Sequence, residues 1–176
     1  MKTGLIVALS FGCLALGVGI GLAAKEKGPG MEVIRGKPAK DAGIAALQEA
    51  EFLASDDSWS LLGVARVYYL SGDKTRGQTL IDHVLAQKPK PSDWQRIGEI
   101  YAMAGEVPKA EEFYSKALFG DPKDDSGRAD IGAWYIRIGQ RDKGEALFAE
   151  AFAKHPAETW HYLRAAEAFL GVPPQR

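Results

Sequence analysis

Two of the chain's three histidines lie close together in the sequence, where they could contribute to a metal site. His155, Glu158 and His161 carry side chains that bind transition metals such as zinc. Pro156 separates them across a turn, so they cannot form a pair of ligands one helical turn apart on the same helix. We therefore interpret them as surface residues at a junction between helical units, and we expect no metal site.

A cluster of aspartates offers the oxygen ligands that calcium prefers. Asp121, Asp124 and Asp125 follow one another at short spacing, but Lys123 and Ser126 occupy places where an EF-hand loop has a ligand and a glycine. We interpret this segment as a solvated turn in which Ser126 or Asp125 caps the next helix. The sequence has no recognisable nucleophile motif and no phosphate-binding glycine loop. It predicts a protein that is not an enzyme and binds no cofactor.

Amphipathic helices are the elements that would position any functional side chains. Residues 92–124 begin with a predicted first helix. Its packing face carries, at helical spacing, Trp94, Ile97, Gly98 and Tyr101. Gly105 ends that helix, because glycine adopts positive φ without steric cost. A second helix starts near Pro108 and ends before Pro122, and its packing face carries Ala110, Tyr114 and Ala117.

These residues, in this order and spacing, resemble the tetratricopeptide repeat family, whose period is about 34 residues. The first-helix pattern of Trp, Leu, Gly and Tyr is matched by Trp94, Ile97, Gly98 and Tyr101. The second-helix pattern of Ala, Phe, Ala and Pro is matched by Ala110, Tyr114, Ala117 and Pro122. Equivalents recur along the chain: Ala65, Gly132 and Ala166 for Gly98, and Tyr68, Tyr135 and Phe169 for Tyr101.

The sequence departs from the family pattern in two ways. Leu61 and Arg128 stand at the position of Trp94, and glycine replaces the usual alanine at Gly43, Gly77 and Gly144. A glycine inside a helix costs up to about 1 kcal/mol relative to alanine. We therefore expect a modestly stable array of repeats.

The resemblance implies an all-α fold, a right-handed solenoid of helical hairpins. Its domain would span residues 41–176. Three full repeats would occupy about residues 58–91, 92–124 and 125–158, preceded by a half repeat from Asp41 and followed by a capping helix over residues 159–170.

The chain begins with an apolar leader. Residues 1–23 fit either a signal peptide cleaved after Ala23 or an uncleaved membrane anchor, since the apolar run over residues 4–24 is long enough to contact or span a bilayer. Residues 24–40 are rich in Gly, Pro and Lys and predict a flexible tether. A cleaved leader, or an anchor with its repeats outside, favours the periplasm or the periplasmic face of the inner membrane. Positive charge after the leader favours the cytoplasmic face if the leader is an inverted anchor.

Charge and composition narrow the class of partner. The 176 residues are 46% hydrophobic and 26% charged, with a formal net charge of -1, as in an ordinary globular protein. Because there is no basic excess to neutralise phosphates, we expect no nucleic-acid partner.

In the family that the chain resembles, one stripe of each first helix faces a concave groove. Here that stripe, and so the predicted partner-binding site, comprises Trp59, Leu62, Arg66, Tyr69, Gln95, Glu99, Ala102, Ala129, Ala133, Ile136, Trp160, Leu163 and Glu167. Its apolar ends and polar middle suit an amphipathic or largely apolar segment of a protein partner. We expect Tyr69→Ala and Ile136→Ala to abolish binding without loss of stability.

The leading hypothesis is a non-enzymatic scaffold in the bacterial envelope. By resemblance, such members hold a partner during cytochrome c maturation, pilus or secretion assembly, or membrane-protein assembly. The alternative is a structural subunit that forms homo-oligomers head to tail, because the chain starts with an unpaired second helix and ends with an unpaired first helix.

Overall fold

The computed structural model describes residues 29–174, and within that range it contains helices and no strands. A short 3-10 helix spans Gly30–Val33. The α-helices are α1 (Ala39–Ala54), α2 (Ser58–Ser71), α3 (Lys74–Ala86), α4 (Pro91–Met103), α5 (Val107–Gly120), α6 (Asp125–Arg137), α7 (Arg141–Lys154) and α8 (Thr159–Phe169). The predicted all-α class is confirmed.

Successive helices pack together as hairpins. The most extensive helix contacts join α2 to α3, α4 to α5 and α6 to α7. The turns inside these hairpins contain Gly72, Gly105 and Gly139, with φ of 108°, 76° and 83°. Positive φ is accessible to glycine because it lacks a Cβ. The hairpin predicted from Gly105 and Pro108 therefore forms where the sequence placed it.

The first helices of these hairpins, α2, α4 and α6, also pack on one another in order, and α8 packs on α6 as the next first helix would. The helix α1 packs on α2. The main core extends from Ala54 at the end of α1 to Tyr135 in α6. A second buried cluster joins α6 and α7 to α8 through Ala129, Ala133, Phe148, Ala151 and Ala168.

Two local expectations differ from the structure. The helix α6 is capped by the Asp124 side chain, which accepts a hydrogen bond from the Gly127 amide at 2.8 Å, rather than by Asp125 or Ser126. Asp125 is the first residue of α6, and its carboxylate lies 2.6 Å from Arg128. The helix α1 starts at Ala39, inside the segment predicted as a tether.

The leader prediction concerns residues 1–23, which lie outside the described residues. Within residues 29–174, no helix is both long enough and apolar enough to cross a membrane.

The carboxylate of Glu106 links three helices at the turn between α4 and α5. It accepts a hydrogen bond from Tyr69 Oη at 2.9 Å and lies 2.8 Å from both Lys74 Nζ and Lys109 Nζ. The contacts with Lys109 and Lys74 lower the pKa of Glu106 to about 2, from the usual 4.5. The ionised form of this carboxylate is therefore stabilised by folding.

We expect Glu106→Gln to lower the free energy of unfolding by about 1 kcal/mol near neutral pH, because the half-exposed lysines are screened by water. The folded-state pKa lies below the unfolded value, so this stabilisation is complete above pH 4.5 and is lost as the pH falls toward 2. Urea unfolding at about pH 7 and about pH 3 measures the difference. The control is Glu112→Gln, which removes an exposed ion pair with Lys116. A difference that does not shrink in acid contradicts the assignment.

Candidate functional site

A cavity of about 360 Å³ opens on the face formed by the first helices and α8. Its walls are Trp59, Gln95, Arg96, Glu99, Asp130, Ala133, Trp134, Arg137, Arg164 and Pro174. They come from α2, α4, α6 and α8 and from the segment after α8. We call this cavity the concave pocket. It combines aromatic rings with charges of both signs.

Trp59 and Arg96 form one wall of the concave pocket. The guanidinium carbon of Arg96 lies 3.4 Å from the centre of the Trp59 ring, within cation–π distance. Trp59 is nevertheless 64% exposed. A large aromatic ring held by a stacked arginine and still accessible to solvent is the kind of side chain that anchors a partner.

The opposite wall is a polar network around Arg164. The Arg164 guanidinium lies 2.6 Å from Asp130 and 2.8 Å from Glu167, and it lies over the Trp160 ring at 4.4 Å. Asp130 also accepts a hydrogen bond from Gln95 at 3.5 Å. Burial raises the pKa of Asp130, and the Arg164 charge opposes that increase. This wall is internally paired, so its main effect is to fix the shape of the pocket.

Arg137 is bonded differently from Arg164. Its guanidinium donates to the main-chain oxygen of Val172 at 2.7 Å and to that of Ala133 at 3.4 Å. Burial lowers the pKa of Arg137, and the negative charge of Glu167 opposes that effect. Because its hydrogen bonds within the described residues end on neutral carbonyls, a carboxylate brought into the pocket would gain a charge-assisted bond here.

The structure brings four of the predicted groove residues together in the concave pocket: Trp59, Gln95, Glu99 and Ala133. It places other members of the stripe in the core, namely Leu62, Tyr69, Ala102 and Ala129, and Ala133 is itself buried. The remaining residues do not form its walls: Arg66, Ile136, Trp160, Leu163 and Glu167. The small side chains are buried because neighbouring first helices pack closely along this stripe.

Tyr69 illustrates the difference for a single residue. It is 4% exposed, its ring lies edge-on against Tyr101 with centroids 5.7 Å apart, and its hydroxyl bonds to Glu106. Burial raises the pKa of Tyr69 to about 12. Replacing it with alanine therefore reports on stability as well as on any binding, and Trp59 is the better probe of the pocket.

Sequence reasoning missed several walls of the concave pocket: Arg96, Asp130, Trp134, Arg137, Arg164 and Pro174. All but Pro174 directly follow a predicted residue, which corresponds to a rotation of each first helix by about 100° about its axis. The charged residues Asp130 and Arg137 are two helical turns apart and could have marked this face. No sequence signal placed Pro174 near α4 and α6.

The histidine cluster is arranged differently from the expectation. His161 is 1% exposed and lies in the interface between α8 and α7, so it is not a surface residue. His155 Nε2 lies 3.2 Å from Asp125 at the surface. Within residues 29–174, no group of three His, Cys, Asp or Glu side chains is placed to hold a metal ion.

The chain was compared with known proteins at three levels. Neither a protein-family model, nor a curated protein, nor a solved structure matches it. Function is therefore inferred from the residues and geometry of the concave pocket.

Proposed function

We propose that the chain is a tetratricopeptide-type scaffold that binds a segment of a protein partner in the concave pocket. In this proposal α2–α3, α4–α5 and α6–α7 are three full repeats of a right-handed solenoid, α1 is a half repeat and α8 is a capping helix. The support is the hairpin packing, the turn glycines and the order in which the first helices contact one another. Function follows from the pocket and not from the fold alone.

The concave pocket is suited to binding rather than to catalysis. The accessible Trp59 ring, stacked on Arg96, is the observation that carries the proposal. The carboxylates of Asp130 and Glu167 are paired with Arg164, so they are engaged in holding the wall together. No cofactor is required for such a role.

The partner that fits is an amphipathic segment with an acidic group. Its apolar side chains would cover Trp59, and its carboxylate would pair with Arg137. The pocket carries more charge than the predicted stripe with its apolar ends and polar middle, because Arg96, Asp130 and Arg137 line it. This favours a mixed segment over a largely apolar one.

The place of action that we propose is the bacterial envelope, on the periplasmic side, with the cytoplasmic face as the alternative for an inverted anchor. The basis is the apolar leader with its small-residue exit. Assembly or biogenesis processes are the proposed setting, namely cytochrome c maturation, pilus or secretion assembly, or membrane-protein assembly.

We expect Trp59→Ala and Arg137→Gln each to reduce partner affinity by about 30-fold, which corresponds to about 2 kcal/mol for an anchor residue. The measurement is quantitative capture from envelope extracts with wild-type and variant chains as parallel baits. Salt should screen the contact between Arg137 and the acidic group in the wild-type chain, whereas Arg137→Gln lacks this contact. Capture by the wild-type chain should therefore weaken more with added salt than capture by Arg137→Gln.

The matched control is Phe119→Ala, which removes an 88% exposed ring of α5 that does not line the pocket. It should retain every partner that the wild-type chain captures. Thermal melts of all three variants exclude unfolding as the cause of any loss. Equal capture by wild type, Trp59→Ala and Arg137→Gln would show that the pocket is not the binding site.

A further inference from the structure

The two ends of the helical array expose complementary halves of one interface. At the first end, a groove of about 320 Å³ lies between α1 and α2. Its lining is almost entirely apolar: Leu47, Ala50, Leu53, Ala54, Ser60, Gly63, Val64 and Val67. At the other end, α8 exposes Tyr162, Leu163 and Phe169, and the residue that follows it, Leu170, is exposed as well. Exposed apolar surface of this kind marks an interaction site.

The helix α1 has the packing residues of a second helix, without the first helix that such residues contact elsewhere. Its Gly43, Leu47 and Ala50 are equivalent in spacing to Gly77, Ile81 and Val84 of α3, which are buried against α2. In α1, Gly43 and Ala50 are exposed and Leu47 is half-buried. The face of α3 that packs against α2 therefore has an equivalent on α1 that is open to solvent.

The helix α8 shows the converse. Its Tyr162, Leu163, Ala166, Phe169 and Leu170 have the same spacing as Leu61, Leu62, Ala65, Tyr68 and Tyr69 of α2. Every one of those α2 residues is buried. The α8 residues are all exposed, and Leu170 reaches 77%. On this face Tyr162 stacks on Phe152 of α7 with centroids 4.6 Å apart, and Arg141 of α7 lies over the Phe169 ring. Leu163, Ala166 and Leu170 remain open to solvent within residues 29–174, as on a first-helix packing face without its second helix.

Gly43 adds an independent observation. A Cβ added to Gly77 would lie 2.9 Å from the Ala65 carbonyl oxygen, so that glycine is needed for close approach of α2 to α3. No atom of the described part of the chain lies within 4 Å of a Cβ added to Gly43. A glycine inside a helix destabilises it by about 0.5–1 kcal/mol relative to alanine. At Gly43 no close helix contact within residues 29–174 offsets that loss of stability.

We propose that these two ends bind each other between copies of this chain, with α8 of one molecule seated against α1 and α2 of the next. The occupant is a second copy because the interface it would form is already made inside each molecule by α2 and α3. Ala166 would approach Gly43 as Ala65 approaches Gly77. The contact joins different surfaces of the two copies, so it does not close and extends into a linear array. It is independent of the concave pocket.

The test uses the full chain in a mild detergent, followed by sedimentation velocity over a range of concentrations. The wild-type chain should show a mass that rises steadily with concentration. Gly43→Arg and Ala166→Arg place a bulky charge in the interface, and each should reduce association at least tenfold. Both positions are exposed, and arginine favours helix, so circular dichroism should show intact folding.

Mixing the two variants distinguishes this contact from other modes of association. Gly43→Arg retains an intact α8 end and Ala166→Arg retains an intact α1 end, so an equimolar mixture should form dimers and nothing larger. A wild-type chain that stays monomeric at all concentrations overturns the proposal. So does association that survives both substitutions, which would assign it to another face or to residues 1–28, and so does a mixture that forms no dimer.

Discussion

Tyr114→Ala should lower the free energy of unfolding by about 3–5 kcal/mol, the range for removing a large aromatic side chain from a core. Tyr114 has no exposed surface. Its ring fills the space beside Gly98, where an added Cβ would lie 2.6 Å away, and it contacts Tyr135 edge-on with centroids 5.5 Å apart. The side chain thus joins α5 to both α4 and α6, and its loss weakens two helix interfaces at once.

The conservative control at this position is Tyr114→Phe. Within residues 29–174 the Tyr114 hydroxyl has no hydrogen-bond partner, and burial raises its pKa. Removing a buried, unsatisfied hydroxyl should leave stability unchanged or increase it. Chemical unfolding of both variants measures the difference. A Tyr114→Phe variant that loses as much stability as Tyr114→Ala would show that the hydroxyl makes an important bond.

The second large effect concerns two glycines at equivalent positions of α7 and α1. Gly144→Ala should destabilise the protein by about 1–3 kcal/mol through overpacking. The added Cβ would lie 2.7 Å from the carbonyl oxygen of Gly132 and 2.7 Å from Ile136 Cδ1, and the carbonyl belongs to rigid helix backbone. The helices α6 and α7 would have to separate.

Gly43→Ala should have the opposite effect and stabilise the chain by about 0.5–1 kcal/mol, because no atom of residues 29–174 lies close to the added Cβ and alanine favours helix. Denaturant midpoints measured at low protein concentration, where chains are dissociated, compare the two variants. The sequence alone predicts the same gain at both sites, since both are helix-interior glycines. Stabilisation by Gly144→Ala would contradict the close approach of α6 and α7.

The elements of the fold were predictable because their signals are local. Gly105 and Pro108 act through their own backbone geometry, so the turn between α4 and α5 follows from the sequence. The rotation of each first helix about its axis is not local, because it depends on how closely Ala129 and Ala133 let neighbouring helices approach. That rotation is why the sequence pattern named Gln95 and Glu99 but missed Arg96 and Arg137.

The burial of Tyr69 and His161 could not be predicted for a related reason. Both side chains are buried by contacts with another helix, Tyr69 with Tyr101 of α4 and His161 with Phe152 of α7. The position of Pro174 depends on the path of the chain after α8, which Arg137 fixes by bonding to the Val172 carbonyl. No repeat pattern encodes that path.

The most direct measurement of the proposed binding site is photo-cross-linking in intact cells that express the chain with its native partners. A photoreactive phenylalanine derivative replaces Trp59 in one variant and Phe119 in the other, since both side chains are well exposed but only Trp59 lines the concave pocket. The scaffold proposal predicts a covalent adduct with another protein from position 59 and none from position 119. No adduct at position 59, or the same adduct from both positions, would contradict it.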